Sequence, residues 1–148
     1  MKAILLAVSA GLCWGLGEVA TKSVLHAGRI GPLTALAVRS TVALPLLWCV
    51  AAWMLARQSE PSGWTRAGAG DWSKLLLGSG LAAGFGGMAC FYLALHAGEV
   101  SRVKPIAFTV APACGVLLGW LLLGEPLGAR KLAGVGLVLA GLVLIARG

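Results

Sequence analysis

The stretch Leu12–His26, LCWGLGEVATKSVLH, closes an apolar run that begins at Ala3 and sets charged residues inside it. A run of about 20 apolar residues is long enough to cross a hydrocarbon core of about 30 Å as a helix. An ionisable side chain within such a run costs roughly 3 kcal/mol on insertion scales, which makes Glu18 and Lys22 candidates for function. On a helix Glu18, Lys22 and His26 stand at i, i+4 and i+8, one above another on a single face. Acid before base at that spacing is also the favourable order for a self-neutralising structural pair, so both readings stand.

The rest of the chain has the composition of a protein built to house that face. Of its 148 residues, 59% are hydrophobic and 11% charged, and the mean hydropathy is +0.91. A soluble domain carries about 25% charged residues. Apolar runs recur at residues 3–25, 33–56, 72–97, 103–123 and 129–146. They predict an all-α integral membrane protein with five transmembrane helices. The expectation is a single transmembrane domain over residues 1–148, multi-pass in the cytoplasmic (inner) membrane and in contact with the lipid bilayer. Short connections leave no room for a soluble domain. The net charge of +7 resides mostly in basic residues flanking the apolar runs, as anchors to anionic headgroups do, which argues against a nucleic-acid partner. Cys13, Cys49, Cys90 and Cys114 each lie inside a run with no C-x-x-C pair and read as small buried residues, with neither disulfide nor metal implied. Ala3–Leu12 after Lys2 imitates a signal peptide with Ala10 at the cleavage position, yet the apolar pattern continues to Ala20, as in an uncleaved span.

Along the chain, Gly11 and Gly15 form a G-x-x-x-G seam in the first span, and Gly28, Gly31 and Pro32 end it. In the second span Arg39 lies about two turns in, within reach of the interface and a second candidate partner for Glu18. Pro45 is internal to that span, while Trp48 and Trp53 approach the opposite face. Residues 57–71 are the one substantial loop, and Asp71 reads as the N-cap of the third span. That span is glycine-rich, with Gly80 and Gly84 as a second seam. In the fourth span Pro105 suits the first turn, whereas Pro112 is internal and frees carbonyls near mid-membrane. Gly134 and Gly141, seven apart, predict a packing seam on the fifth.

These residues carry a resemblance. Trp14-Gly15 and Lys22, Arg39 in AVRS, Tyr92-Leu93-Ala94-Leu95, Pro112, Gly124-Glu125 in LLLGEPL and Gly134…Gly141 in GVGLVLAGLVLI occur in order. Over nearly its whole length the chain resembles one EamA-type repeat of the drug/metabolite transporter superfamily. Most members are similar to two such repeats fused, with inverted halves, so the resemblance implies one half of an inverted-repeat transporter. The last helix is also similar to the dimer helix of small multidrug resistance transporters, which work as dimers around a membrane glutamate in span one. Glu18-Val19 matches that acid in setting. Lys22 one turn on is a departure, and EamA repeats usually carry no acid at this position.

Successive loops alternate sides, so basic residues divide by side. Lys2, Arg57, Arg66, Lys74, Arg130 and Lys131 face Arg29, Arg102, Lys104 and Arg147, six against four, or six against six if Lys22 and Arg39 snorkel to the second side. So weak a bias suits an antiparallel homodimer; the alternative is a fixed orientation and a heterodimer with another half-size subunit. The expectation is a transporter, by resemblance an exporter, of small metabolites or drugs, with Glu18 switching between proton and substrate. Trp14, Tyr92, Pro112 and Trp120 are candidate cavity walls, and Lys22, Arg39 and Lys104 are candidate anion contacts. No cofactor is expected. A non-transporting membrane subunit, with Glu18–Lys22/Arg39 as a buried tie, is the second reading. An intramembrane enzyme lacks support: there is no paired-carboxylate site, no H-E-x-x-H and no Ser/His pair at a plausible spacing.

Overall fold

A computed structural model describes residues 2–147; Met1 and Gly148, the ends of the expected domain, lie outside the described residues. Five helical stretches are long and apolar enough to cross a membrane: Lys2–His26, Pro32–Ala56, Ala69–Ala97, Val100–Leu123 and Ala129–Arg147. No strand occurs among the described residues. The protein is all-helical, as the apolar runs predict. Its large side chains point outward, Leu16 and Leu137 being about three-quarters exposed within the chain. That is the arrangement of a protein whose solvent is hydrocarbon.

The chain forms two compact units, residues 1–96 and 97–148. The first holds α1 (Lys2–His26) and α2 (Pro32–Ala56), which touch, then a short 3-10 turn (Ser62–Arg66) and the third span. Pro32 suits the first turn of α2, where its missing N–H would have had no helical partner. Trp48, Trp64 and Trp72 meet in sequence, the first pair tilted and the second edge-on, with ring centroids 6.3 and 6.1 Å apart, and Arg57 lies 4.4 Å over the Trp53 ring. Aromatic rings and a cation gathered at one end of α2 match the headgroup belt of a membrane helix.

The third span departs from a plain helix. It comprises α3 (Ala69–Ser73), a π-helical stretch (Lys74–Gly87) and α4 (Met88–Ala97). It begins at Ala69, before the expected start at Trp72, because Gly68 caps it. Its carbonyl accepts from the amides of Asp71 and Trp72 at 3.0 and 3.1 Å. Asp71 is therefore in the first turn, where a carboxylate complements the helix dipole, and is not the N-cap. Long π-helical runs are rare, and glycine accommodates this one. A Cβ at Gly84 would stand 3.2 Å from the Ser79 carbonyl oxygen, and one at Gly80 3.5 Å from that of Leu75. The expected seam thus faces carbonyls of its own helix.

The second unit is an antiparallel pair, α5 (Val100–Leu123) and α6 (Ala129–Arg147), packed against each other. Helix α5 starts at Val100 after Glu99 and not at Val103, which makes Pro105 internal along with Pro112. It ends at Gly124, whose φ of 66° needs a residue without a Cβ. The amides of Gly124 and Glu125 both turn back to the Gly119 carbonyl, and the Glu125 side chain folds over Gly119, within 3.3 Å of where a Cβ would be. The four cysteines are free and exposed, not buried as expected. A thiol is a small hydrophobe, and the outer surface of a membrane helix accepts it as readily as a core does.

The glycines of the third span yield a paired prediction. Gly78→Ala, where a Cβ meets nothing within 4 Å, should gain up to about 1 kcal/mol of helix propensity. Gly84→Ala should forfeit that gain and unfold at a lower temperature than Gly78→Ala, measured by thermal unfolding of the purified protein in detergent.

Candidate functional site

Polar side chains meet in the first unit where α1, α2 and the end of the third span supply them. Glu18, on α1, is 5% exposed, deeply buried for a carboxylate. Lys22 is one turn further on the same face and half-buried. Its ammonium donates to the Leu95 carbonyl at 2.7 Å. Leu95 is in the last turn of α4, where carbonyls have no helical partner, so Lys22 caps that helix and complements its dipole. Leu95 and Tyr92 are the two most deeply buried large side chains, at 0% and 1% exposure.

From α2, Arg39 donates through Nη1 to the Tyr92 hydroxyl at 3.1 Å, with its guanidinium carbon 5.9 Å from that ring's centroid. One hydrogen bond uses one of five guanidinium N–H groups. Arg39 also borders a cavity of about 350 Å³ lined with Cys13, Trp14, Gly17, Glu18 and Thr21 of α1. The cavity runs along two turns of α1 and carries an acid and a base on its walls. The Thr21 hydroxyl is turned back to the Gly17 carbonyl at 2.9 Å, which removes it as a donor. A neighbouring cavity of about 300 Å³ shares Thr21 and Arg39 and is otherwise lined with Ala20, Val24, Ile30, Ala35 and Val38. Arg39 thus stands between a polar chamber and an apolar one.

Of the residues expected at the site, Glu18, Arg39 and Trp14 line one cavity, with Lys22 beside it. Trp14 is half-exposed, a flat wall. Tyr92 lies behind Arg39, fully buried, and positions the cation. In the second unit Pro112 and Gly134 line a different groove, between α5 and α6, and Trp120 is half-exposed on α5. Lys104 lies 5.4 Å over the Phe108 ring. A Cβ at Gly11, Gly134 or Gly141 would have no neighbour within 4 Å in its own unit, and Gly15 is half-buried. Sequence reasoning does not name Thr21 and Cys13 as site residues. Thr21, three residues after Glu18, falls on the same face of α1, which is the available signal; Cys13, five residues before it, does not. Among the described residues no three His, Cys, Asp or Glu side chains gather as metal ligands would.

The cap carries a stability prediction. Lys22→Met keeps the aliphatic stem and leaves the Leu95 carbonyl without its donor, which costs about 1–3 kcal/mol. The expected outcome is a lower unfolding temperature in detergent, while Lys22→Arg retains most of the stability.

Comparison with curated proteins and with solved structures finds no match to the chain. The model of the EamA-like transporter family matches residues 1–147. That match covers the five spans and the polar cluster of α1, α2 and the third span together, and it rests on the sequence independently of the geometry. The chain belongs to the EamA-like transporter family.

Proposed function

We propose that this chain acts in the export of small metabolites or drugs across the cytoplasmic membrane. In this reading its two units form a single transmembrane domain that works as a dimer, with export driven by proton exchange at Glu18. The coarser statement needs no proposal: the protein is an integral, multi-pass membrane protein of a transporter family. The observation that supports the finer reading is the buried Glu18 on the wall of the same cavity as Arg39. A carboxylate buried in a membrane protein is costly as an anion, and a basic neighbour offsets that cost. A solute that engages Arg39 removes part of this support and favours proton uptake by Glu18. Loss of that proton on the other side restores the original state. Trp14 supplies apolar surface at one end, and the neighbouring apolar chamber accepts a hydrocarbon portion of the solute.

A specific observation also favours the second reading, a non-transporting membrane subunit. Lys22 and Arg39 both make fixed bonds to the end of the third span, as structural ties do.

Glu18→Gln separates the two. It preserves side-chain shape and removes the titrating group. Under the transport reading, uptake into inside-out vesicles driven by an imposed pH gradient should fall to background while the protein still assembles in the membrane. Full retention of pH-driven uptake would reject Glu18 as the coupling group, and reduced membrane yield alone would favour the structural subunit.

Assembly has its own test. With a C-terminal reporter pair that signals cytoplasmic or external location, an antiparallel homodimer should give comparable signal from both reporters, tipped by moving one or two Arg or Lys residues. A single location would sink that model and direct the search to a complementary half-size partner.

A further inference from the structure

Helices α5 and α6 enclose a groove of about 230 Å³ that belongs to neither cavity of the first unit. Its walls are Thr109, Pro112, Ala113, Val116, Gly134, Val135 and Val138, and Arg130 and Lys131 stand at its mouth. Gly134 contributes open space, since a Cβ there meets nothing within 4 Å. Along α6 the groove runs eight residues from Arg130 to Val138, about 12 Å at 1.5 Å per residue. One leaflet of the hydrocarbon core is about 15 Å deep.

Its charge is one-sided. Helix α6 opens on two cations with no acid in its first turn, the reverse of what the helix dipole favours. Lys131 has Glu125 at 3.9 Å and donates to the Pro126 carbonyl at 3.2 Å. Arg130 makes no hydrogen bond or ion pair among the described residues. One acid against two cations and a helix N-terminus leaves a positive mouth above an apolar slot.

We propose that this groove seats one acyl chain of an anionic phospholipid, with the phosphate on Arg130 and Lys131. Complementarity of charge at the mouth and of apolar surface below selects that occupant. A neutral phospholipid supplies the chain without the net charge, and a free phosphate supplies the charge without the chain.

The test uses the full chain purified in detergent and titrated with an equimolar mixture of phosphatidylglycerol and phosphatidylcholine of identical acyl chains. Bound lipids are counted by native mass spectrometry. The expected result is a preference for phosphatidylglycerol that Arg130→Gln lowers about fivefold, while Arg66→Gln, a cation of the long loop in the other unit, leaves it unchanged. Val138→Trp, which fills the deep end, should lower retention of both lipids. Equal retention of the two lipids by the unaltered protein would overturn the proposal. So would an equal effect of Arg130→Gln and Arg66→Gln, which would reduce the preference to diffuse surface charge. Displacement of the bound lipid on dimer formation would overturn it too, giving the groove to a second copy of the chain.

Discussion

The hydrogen bond from Lys22 to the Leu95 carbonyl orders the first unit. In hydrocarbon the last carbonyls of a helix find no water, so a donor must come from the protein. Lys22 supplies it from 73 residues away and holds the end of α4 against α1. Leu95 and Tyr92 are buried there as a consequence. With Tyr92 fixed, its hydroxyl has one place to be, and Arg39 of α2 is drawn to it. The position of Arg39 beside the Glu18 cavity thus depends on a backbone carbonyl of a third helix.

The second unit, taken alone, satisfies its helix ends with the same chemistry. Arg102, at the start of α5, donates to the Ala146 carbonyl in the last turn of α6. The Gly119 carbonyl takes two amides from the turn at Gly124-Glu125, which is why the residue at 124 is left-handed and the one at 119 has no side chain. Basic residues near span ends are usually tallied as anchors to headgroups. Lys22 and Arg39 are instead held inward, by the Leu95 carbonyl and the Tyr92 hydroxyl.

Much of this was legible in the sequence because helical periodicity and span length are local properties. The five apolar runs map onto five helices, and the Glu18–Lys22 spacing put both side chains on one face of α1 before any partner was known. What was not legible is long-range or depends on backbone geometry. Nothing near Lys22 names Leu95 as its acceptor. Tyr92 reads as a cavity wall until burial places it behind Arg39. The π-helical stretch at 74–87 leaves only an excess of glycine as its trace, and glycine suits a packing seam equally well. Pro105 reads as a first-turn proline, because the boundary at Val100 is set by Glu99 and the turn before it, not by hydropathy.

The cavity brings these strands together. A lone carboxylate at the position of Glu18 would be expensive in a membrane protein, and a lone guanidinium at Arg39 equally so. As linings of one chamber, each lowers the cost of the other. Glu18 is on a helix pinned by its own Lys22, and Arg39 is held by a buried tyrosine. Thr21 has spent its hydroxyl on its own backbone, so it offers no competing donor. A solute that enters meets a cation whose field already serves the acid. Under the proposed transport reading, that solute competes with Glu18 for the same cation. Competition of that kind requires only that the two charges line one cavity and that the scaffold around them hold still.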